Sequence, residues 1–133
     1  MKKFLSITCL AILMIATKAY SQSNLTWTVK DKVQKGFFKT SKVINSNFSG
    51  FSSKEEATTF FNKLKTDRSV LSAVVTNTDV KGNSDVVITM RETHDKSFYI
   101  GMAQKYQVNY ILVNGQKKTP AQIIEDTRNK KKK

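Results

Sequence analysis

The feature of the sequence that most constrains the fold is an amphipathic helix with a strong N-terminal cap, within residues 47–65. The Ser53 hydroxyl can accept a hydrogen bond from the first helical turn, and Glu56 can reach back to the N–H of Ser53, as in a capping box. Apolar residues then recur on one helical face, at Ala57, Phe60, Phe61 and Leu64. The pattern predicts a helix over residues 54–65 that buries at least one of the two phenylalanines.

Two segments before this helix are candidates for strands. In residues 24–33 apolar and polar side chains alternate, as in a short strand with one buried face, and Gly36 ends the pattern. Residues 37–48 are less regular, but they are the only stretch that could supply a strand leading into the helix. We therefore predict a core strand there.

A β-hairpin is predicted after the helix. Residues 71–79 and 85–92 are rich in Val, Ile and Thr, and the turn residues 81–84 separate them. In the second arm, the face expected to point toward the core carries Val86, Ile88 and Met90.

The rest of the chain predicts a second helix, a last strand and a short C-terminal helix. Thr93 or Asp95 can cap the second helix, which reaches about Tyr106, and the last strand covers residues 108–113. The run Thr-Pro-Ala-Gln at 119–122 then starts the C-terminal helix with a capping box and proline in its first turn.

The order of these elements predicts an α+β fold of the ferredoxin-like type. Without the N-terminal strand and the C-terminal helix the order is β-α-β-β-α-β, which gives a four-stranded antiparallel sheet with two helices on one face. The last strand is apolar on both faces, so we expect a cover for the open face, either the N-terminal strand with Trp27 or a partner; the intramolecular cover is the simpler expectation. The domain boundaries follow as a leader at 1–21, the N-terminal strand segment at 22–36, the ferredoxin-like domain at 37–116, and a short helix with a basic tail at 117–133.

The first 21 residues have the pattern of a secretory signal peptide. Two lysines precede the apolar run at 4–16, and Ala19 and Ser21 supply the small residues of a cleavage site. The run is shorter than the roughly 20 residues of a spanning helix, and no later segment is apolar enough, so we expect no transmembrane segment in the mature chain. The protein should be exported, either periplasmic or secreted, and should begin near Gln22.

The predicted export affects how the cysteine content and the net charge are interpreted. The only cysteine, Cys9, lies in the leader, so the mature chain should have neither a disulfide nor a thiolate ligand. The formal net charge is +13, and Arg128 and Lys130–Lys133 form a basic tail. For an exported chain the expected anionic partners are lipid headgroups, lipopolysaccharide, cell-wall polymers or an acidic protein, and not nucleic acid. A solvated tail that only maintains solubility is the alternative interpretation.

Side chains suited to catalysis or metal binding are few. His94 is the only histidine, and Met90 and Met102 are weak candidates to join it as metal ligands, although this mixed set matches no established ligand spacing. The mature chain has no cysteine, no second histidine and no Gly-x-Ser-x-Gly elbow, so no catalytic triad is predicted. We expect a non-catalytic protein without a cofactor.

Residues 50–56, GFSSKEE, resemble the loop of the heavy-metal-associated domain, which reads Gly-Met-x-Cys-x-x-Cys. This domain is a small ferredoxin-like module of copper chaperones and metal-transporting ATPases, and the likeness extends through most of residues 42–114, including the start of the hairpin at 70–74 and Tyr106. The family's two ligand positions fall on Ser53 and Glu56, neither of which supplies the thiolate that Cu(I) prefers. The resemblance therefore implies the fold, and suggests a binding module without the Cys-x-x-Cys site that recognises a protein or envelope partner.

A second resemblance is to the sporulation-related repeat domain, which binds peptidoglycan. Residues 51–57 and 63–65 are similar to its first helix, but residues 86–91 lead into Glu-Thr-His-Asp instead of another glycine-phenylalanine turn. Two alternatives to the non-catalytic module thus stay open: this peptidoglycan-binding type of domain, and a metal-handling protein that uses Met90, His94 and Met102.

We expect the protein recovered from the cell envelope to begin near Gln22, because the leader ends in small residues that a signal peptidase accepts. N-terminal sequencing of that material measures the start directly. An intact Met1 on the envelope protein would contradict the prediction.

Overall fold

The computed structural model describes residues 24–132, so the predicted leader and cleavage site lie outside it. The strands in the described chain are β1 (Thr26–Val29), β2 (Val43–Ser49), β3 (Val70–Thr78), β4 (Ser84–Met90), β5 (Tyr110–Val113) and β6 (Gln116–Lys118). The helices there are α1 (Phe37–Thr40), α2 (Lys54–Lys65), α3 (Lys96–Lys105) and α4 (Pro120–Lys131). None of the helices in residues 24–132 is both long and apolar enough to cross a membrane.

The six strands form one mixed sheet in the order β3-β4-β2-β1-β5-β6. Neighbouring strands are antiparallel except for β1 and β5, which are parallel. The α+β class is confirmed, and β2-α2-β3 and β4-α3-β5 supply the predicted order of elements. The four-stranded antiparallel sheet is wrong, because β1 lies between β2 and β5, which a ferredoxin-like sheet would pair directly.

The N-terminal strand was expected to cover the open face, and this expectation is wrong. Trp27 pairs with Phe48 of β2 on one side and with Ile111 of β5 on the other, so β1 lies within the sheet. A strand in this position satisfies its backbone N–H and C=O groups at both edges, which a strand laid across the face could not do. Tyr110 and Leu112 of β5 are half-buried and lie on the face opposite the buried Ile111, where Lys117 Nζ lies 4.5 Å from the Tyr110 ring centroid.

The predicted strand over 37–48 divides into a short helix, α1, and a strand, β2. Gly36 has φ +84° and turns the chain just before α1. In a strand, Phe37 and Phe38 would point to opposite faces, whereas in α1 their rings contact each other edge to face at 5.2 Å. The strand β6 was not predicted; it follows β5 through Asn114 and Gly115, which both have positive φ as in a tight hairpin turn.

The core lies between the sheet and the helices α2 and α3. The predicted inward face of β4 is confirmed, since Val86, Ile88 and Met90 are at most 2% exposed. Phe61 of α2 is buried, as predicted for at least one of the two phenylalanines, and Phe60 is half-buried. Trp27 stacks on Phe48 with ring centroids 5.7 Å apart, which joins the two central strands on the helix side of the sheet.

A close backbone crossing fixes the end of β2 against the start of the described chain. Gly50 has φ +96°, and a Cβ at this position would lie 2.0 Å from the carbonyl oxygen of Asn24. Only glycine fits here, both because of the backbone conformation and because the neighbouring chain occupies the space. The contact holds residue 24 in position to enter β1.

Gly50→Ala should lower the free energy of unfolding by at least about 2 kcal/mol, because alanine combines an unfavourable φ with a backbone collision. Gly101→Ala is the matched control, since Gly101 lies inside α3 with open space around its Cβ position. The control should stabilise the protein by up to about 1 kcal/mol. Denaturant titration measures both variants, and a Gly50→Ala midpoint equal to that of the wild type would contradict the crossing.

Candidate functional site

The three weak metal-ligand candidates each have a packing position. Met90 is 1% exposed and Met102 is 7% exposed, so both thioethers lie in the hydrophobic core. The His94 ring stacks on Phe98 with centroids 3.6 Å apart, and the next residue, Asp95, caps α3 by accepting from the Phe98 N–H at 3.0 Å. Within residues 24–132, no three His, Cys, Asp or Glu side chains come together as a metal site would require.

The two positions that correspond to the metal-domain cysteines lie at the start of α2. Ser53 Oγ accepts from the Glu56 N–H at 3.2 Å, which is the predicted cap. Glu56 was expected to reach the N–H of Ser53, but its carboxylate accepts from the N–H of Ser52 at 2.9 Å and from the Ser52 hydroxyl. The predicted partner of Glu56 is therefore wrong by one residue. Glu56 contacts Ser52 because Ser52 offers two donors, its N–H and its hydroxyl, to one carboxylate oxygen. Both side chains serve the helix start.

A groove of about 1030 Å³ lies beside this helix start, and Asp67 is one of its lining residues. The Asp67 side chain is 5% exposed and accepts from Tyr106 Oη at 2.5 Å, Lys105 Nζ at 3.0 Å and the Ser69 N–H at 2.9 Å. Burial alone would raise the pKa of Asp67, but the hydrogen bonds from Tyr106, Ser69 and Lys105 outweigh it and lower the pKa to about 2. Through these hydrogen bonds, the Asp67 carboxylate connects the end of α2 to the end of α3.

A second cavity, of about 810 Å³, has the chemistry of a binding site. It lies among α1, the beginning of α3, the β5–β6 hairpin and α4, and we call it the lysine cleft. The lysines that line it are Lys35, Lys39, Lys96, Lys118 and Lys130. Its apolar lining consists of Val33, Phe37, Phe38, Ile111, Val113 and Ile123.

The lysine cleft has a strong excess of positive charge. Asp126 is the only carboxylate among its lining residues, and it is already paired with Lys118 at 2.5 Å. The hydrogen bond from Lys118 lowers the pKa of Asp126, and the nearby charges of Lys118, Lys130 and Lys96 lower it further. The other four lysines form no ion pair with any residue that the structure describes.

Side-chain to backbone hydrogen bonds hold the walls of the lysine cleft in place. The Val33 N–H donates to Asn114 Oδ1 at 3.0 Å, and Asn114 Nδ2 donates to the Val33 carbonyl at 2.7 Å, so the approach to α1 is tied to the β5–β6 turn. On the opposite wall, α4 starts with the predicted capping box between Thr119 and Gln122. The cleft therefore has two walls that are each fixed by side-chain to backbone hydrogen bonds.

Only part of this site could be predicted from the sequence. Lys130 was singled out as part of the basic tail, but the structure extends α4 through Lys131, which places Lys130 on the cleft wall. Phe37 and Phe38 were assigned to a strand. The available signal was the run Lys35-Gly-Phe-Phe-Lys39, in which adjacent aromatic residues are flanked by charge.

Comparisons of this chain with protein-family models, with curated proteins and with solved structures find no match.

Tyr106→Phe should cost roughly 2 kcal/mol of stability at pH 7, because it removes a hydrogen bond to the ionised Asp67. The pKa of Asp67 in the folded protein, about 2, lies below its ordinary value of 3.8. The stabilisation is therefore fully present above about pH 4 and is lost as the pH falls toward 2. The difference in free energy of unfolding between the variant and the wild type should therefore become smaller over the same pH range.

Urea titrations of the wild type and Tyr106→Phe at a series of pH values measure this effect. Tyr110→Phe is the control, since Tyr110 lies on the open face of the sheet, and it should show no pH-dependent difference. A stability difference for Tyr106→Phe that stays constant from pH 7 to pH 2 would refute the link to Asp67.

Proposed function

We propose that this protein is an exported, non-catalytic binding module whose lysine cleft holds an anionic partner of the cell envelope. The observation that carries the proposal is the concentration of five lysines around one cavity that contains a single carboxylate. Asp126 is paired with Lys118, so a ligand would meet the charges of Lys35, Lys39, Lys96 and Lys130, none of which is ion-paired with a described residue.

The shape of the cleft supports attraction of an anion. Positive side chains around a concave site with apolar walls focus the field, and raise the local concentration and association rate of a negative ligand. Lysine ammonium groups are compact point charges on flexible stems, which suit phosphate or carboxylate groups. Because the rim is exposed, binding should be sensitive to salt, with a Debye length of about 8 Å at physiological ionic strength.

The basic C-terminal segment extends this charge beyond the cleft. Arg128, Lys130 and Lys131 lie in the last turn of α4, where positive side chains interact favourably with the helix dipole. Lys130 lines the cleft, and the other two lie on the same terminal turn. The basic tail predicted to contact a partner thus supports the same proposal as the cleft.

A binding role accounts for the lining better than catalysis does. The polar lining consists of lysines, amides, Thr127 and the paired Asp126, and offers neither a histidine nor a cysteine as nucleophile or base. Outside the cleft, Ser53 and Glu56 stabilise the start of α2, which leaves the metal-domain resemblance as support only for the order of elements along the chain.

The double variant Lys39→Glu with Lys96→Glu should bind inorganic tripolyphosphate at least about tenfold more weakly than the wild type, because two attractive charges of the cleft become repulsive. Isothermal titration calorimetry at two salt concentrations measures the affinity. The wild-type affinity should fall as the salt rises.

The matched control is Lys54→Glu with Lys65→Glu on α2, which changes the net charge equally. The two pairs are similar in position, since Lys54 and Lys96 each begin a helix, and all four lysines are exposed. We expect the affinity of the control variant for tripolyphosphate to lie within about twofold of the wild-type affinity. An equal loss in both double variants would show that net charge, and not the lysine cleft, governs binding.

A further inference from the structure

The lysine cleft has an apolar part, which suits a ligand with an apolar group beside its charge. Phe37, Phe38, Val33 and Val113 are half-buried, and Ile111 and Ile123 are buried beneath them. A purely ionic ligand would leave this apolar surface facing water. The cleft therefore offers two separate chemistries: ammonium groups on long stems, and aromatic and aliphatic surface at its base.

The helix α1 lines the cleft and also packs against the core. It is four residues long and contains no fully buried residue. Phe38 contacts Tyr99 of α3 at a centroid distance of 4.9 Å, which anchors the helix, whereas Phe37 has Phe38 as its aromatic neighbour. Lys35 and Lys39 flank the two rings, so this short segment presents apolar and cationic groups side by side.

We propose that the ligand of the lysine cleft is a single-chain amphiphile with an anionic head, which places its phosphate or carboxylate among the lysines and its alkyl chain against Phe37, Val33 and Val113. This inference rests on the proposed function and names its ligand class. The volume of about 810 Å³ lies within the range of small-molecule sites. Charge complementarity selects the head, and burial of methylene groups selects the chain.

The experiment titrates the exported protein with octyl phosphate, decyl phosphate and dodecyl phosphate, each kept below its micelle concentration. Affinity should rise at least about tenfold from octyl to dodecyl phosphate, since each buried methylene adds to binding. Inorganic phosphate, which is the head alone, and dodecyl maltoside, which is the chain with a neutral head, should each bind at least about tenfold more weakly than dodecyl phosphate.

Phe37→Ser should lower the affinity for dodecyl phosphate about tenfold, and by a larger factor than the affinity for inorganic phosphate, because it removes apolar surface and no charge. Val80→Ser is the control, since Val80 is 90% exposed and does not line the cleft. Thermal unfolding checks that both variants fold. The chain-length series in the wild type tests the inference independently of either variant.

Three outcomes would overturn the amphiphile inference: an affinity independent of chain length, dodecyl phosphate binding unaffected by Phe37→Ser, or binding to phosphatidylglycerol vesicles without binding to monomeric dodecyl phosphate. Tripolyphosphate binding that depends on Lys39 and Lys96 would still uphold the proposed function in each of these cases. Loss of that dependence would defeat the proposed function itself, so the two failures are distinguishable.

Discussion

The architecture depends on β1, whose backbone pairs with β2 at one edge and with β5 at the other. Buried N–H and C=O groups are costly when unpaired, so a strand held at both edges is firmly positioned. Trp27 reinforces the position, because its ring stacks on Phe48 and its indole N–H donates to the buried Ser46 hydroxyl at 2.8 Å. Without β1, two facing strand edges and a large part of the core would lose their partners.

The lysine cleft is a consequence of this insertion. With β1 between them, β5 and β2 are separated by one strand, and β5 and β6 lie on the far side of β1 from the α2 half of the sheet. The contacts of Tyr99 with Trp27 and with Phe38 connect β1 to α3 and α3 to α1. This arrangement places α1 near the β5–β6 hairpin, where the Val33 and Asn114 hydrogen bonds close one wall.

Local signals in the sequence were sufficient for most elements but not for their arrangement. The caps at Ser53 and Thr119 and the alternation through Val86, Ile88 and Met90 act within a few residues, so the sequence reveals them. The alternation around Trp27 is compatible with any place in or on a sheet, because pairing partners are distant in the chain. The cleft was hidden for the same reason: its lysines come from separate segments, and only Lys130 belonged to a visible cluster of charge.

The parallel pairing of β1 with β5 also has a consequence for folding during synthesis. The Leu25 N–H donates to Asn109 Oδ1 across 84 positions of sequence, and Thr26 pairs with Tyr110. The first strand of the domain therefore cannot complete its pairing until nearly the whole chain has been made, and such distant contacts form slowly. Until then β1, a central strand of the sheet, is unpaired at the edge that later joins β5.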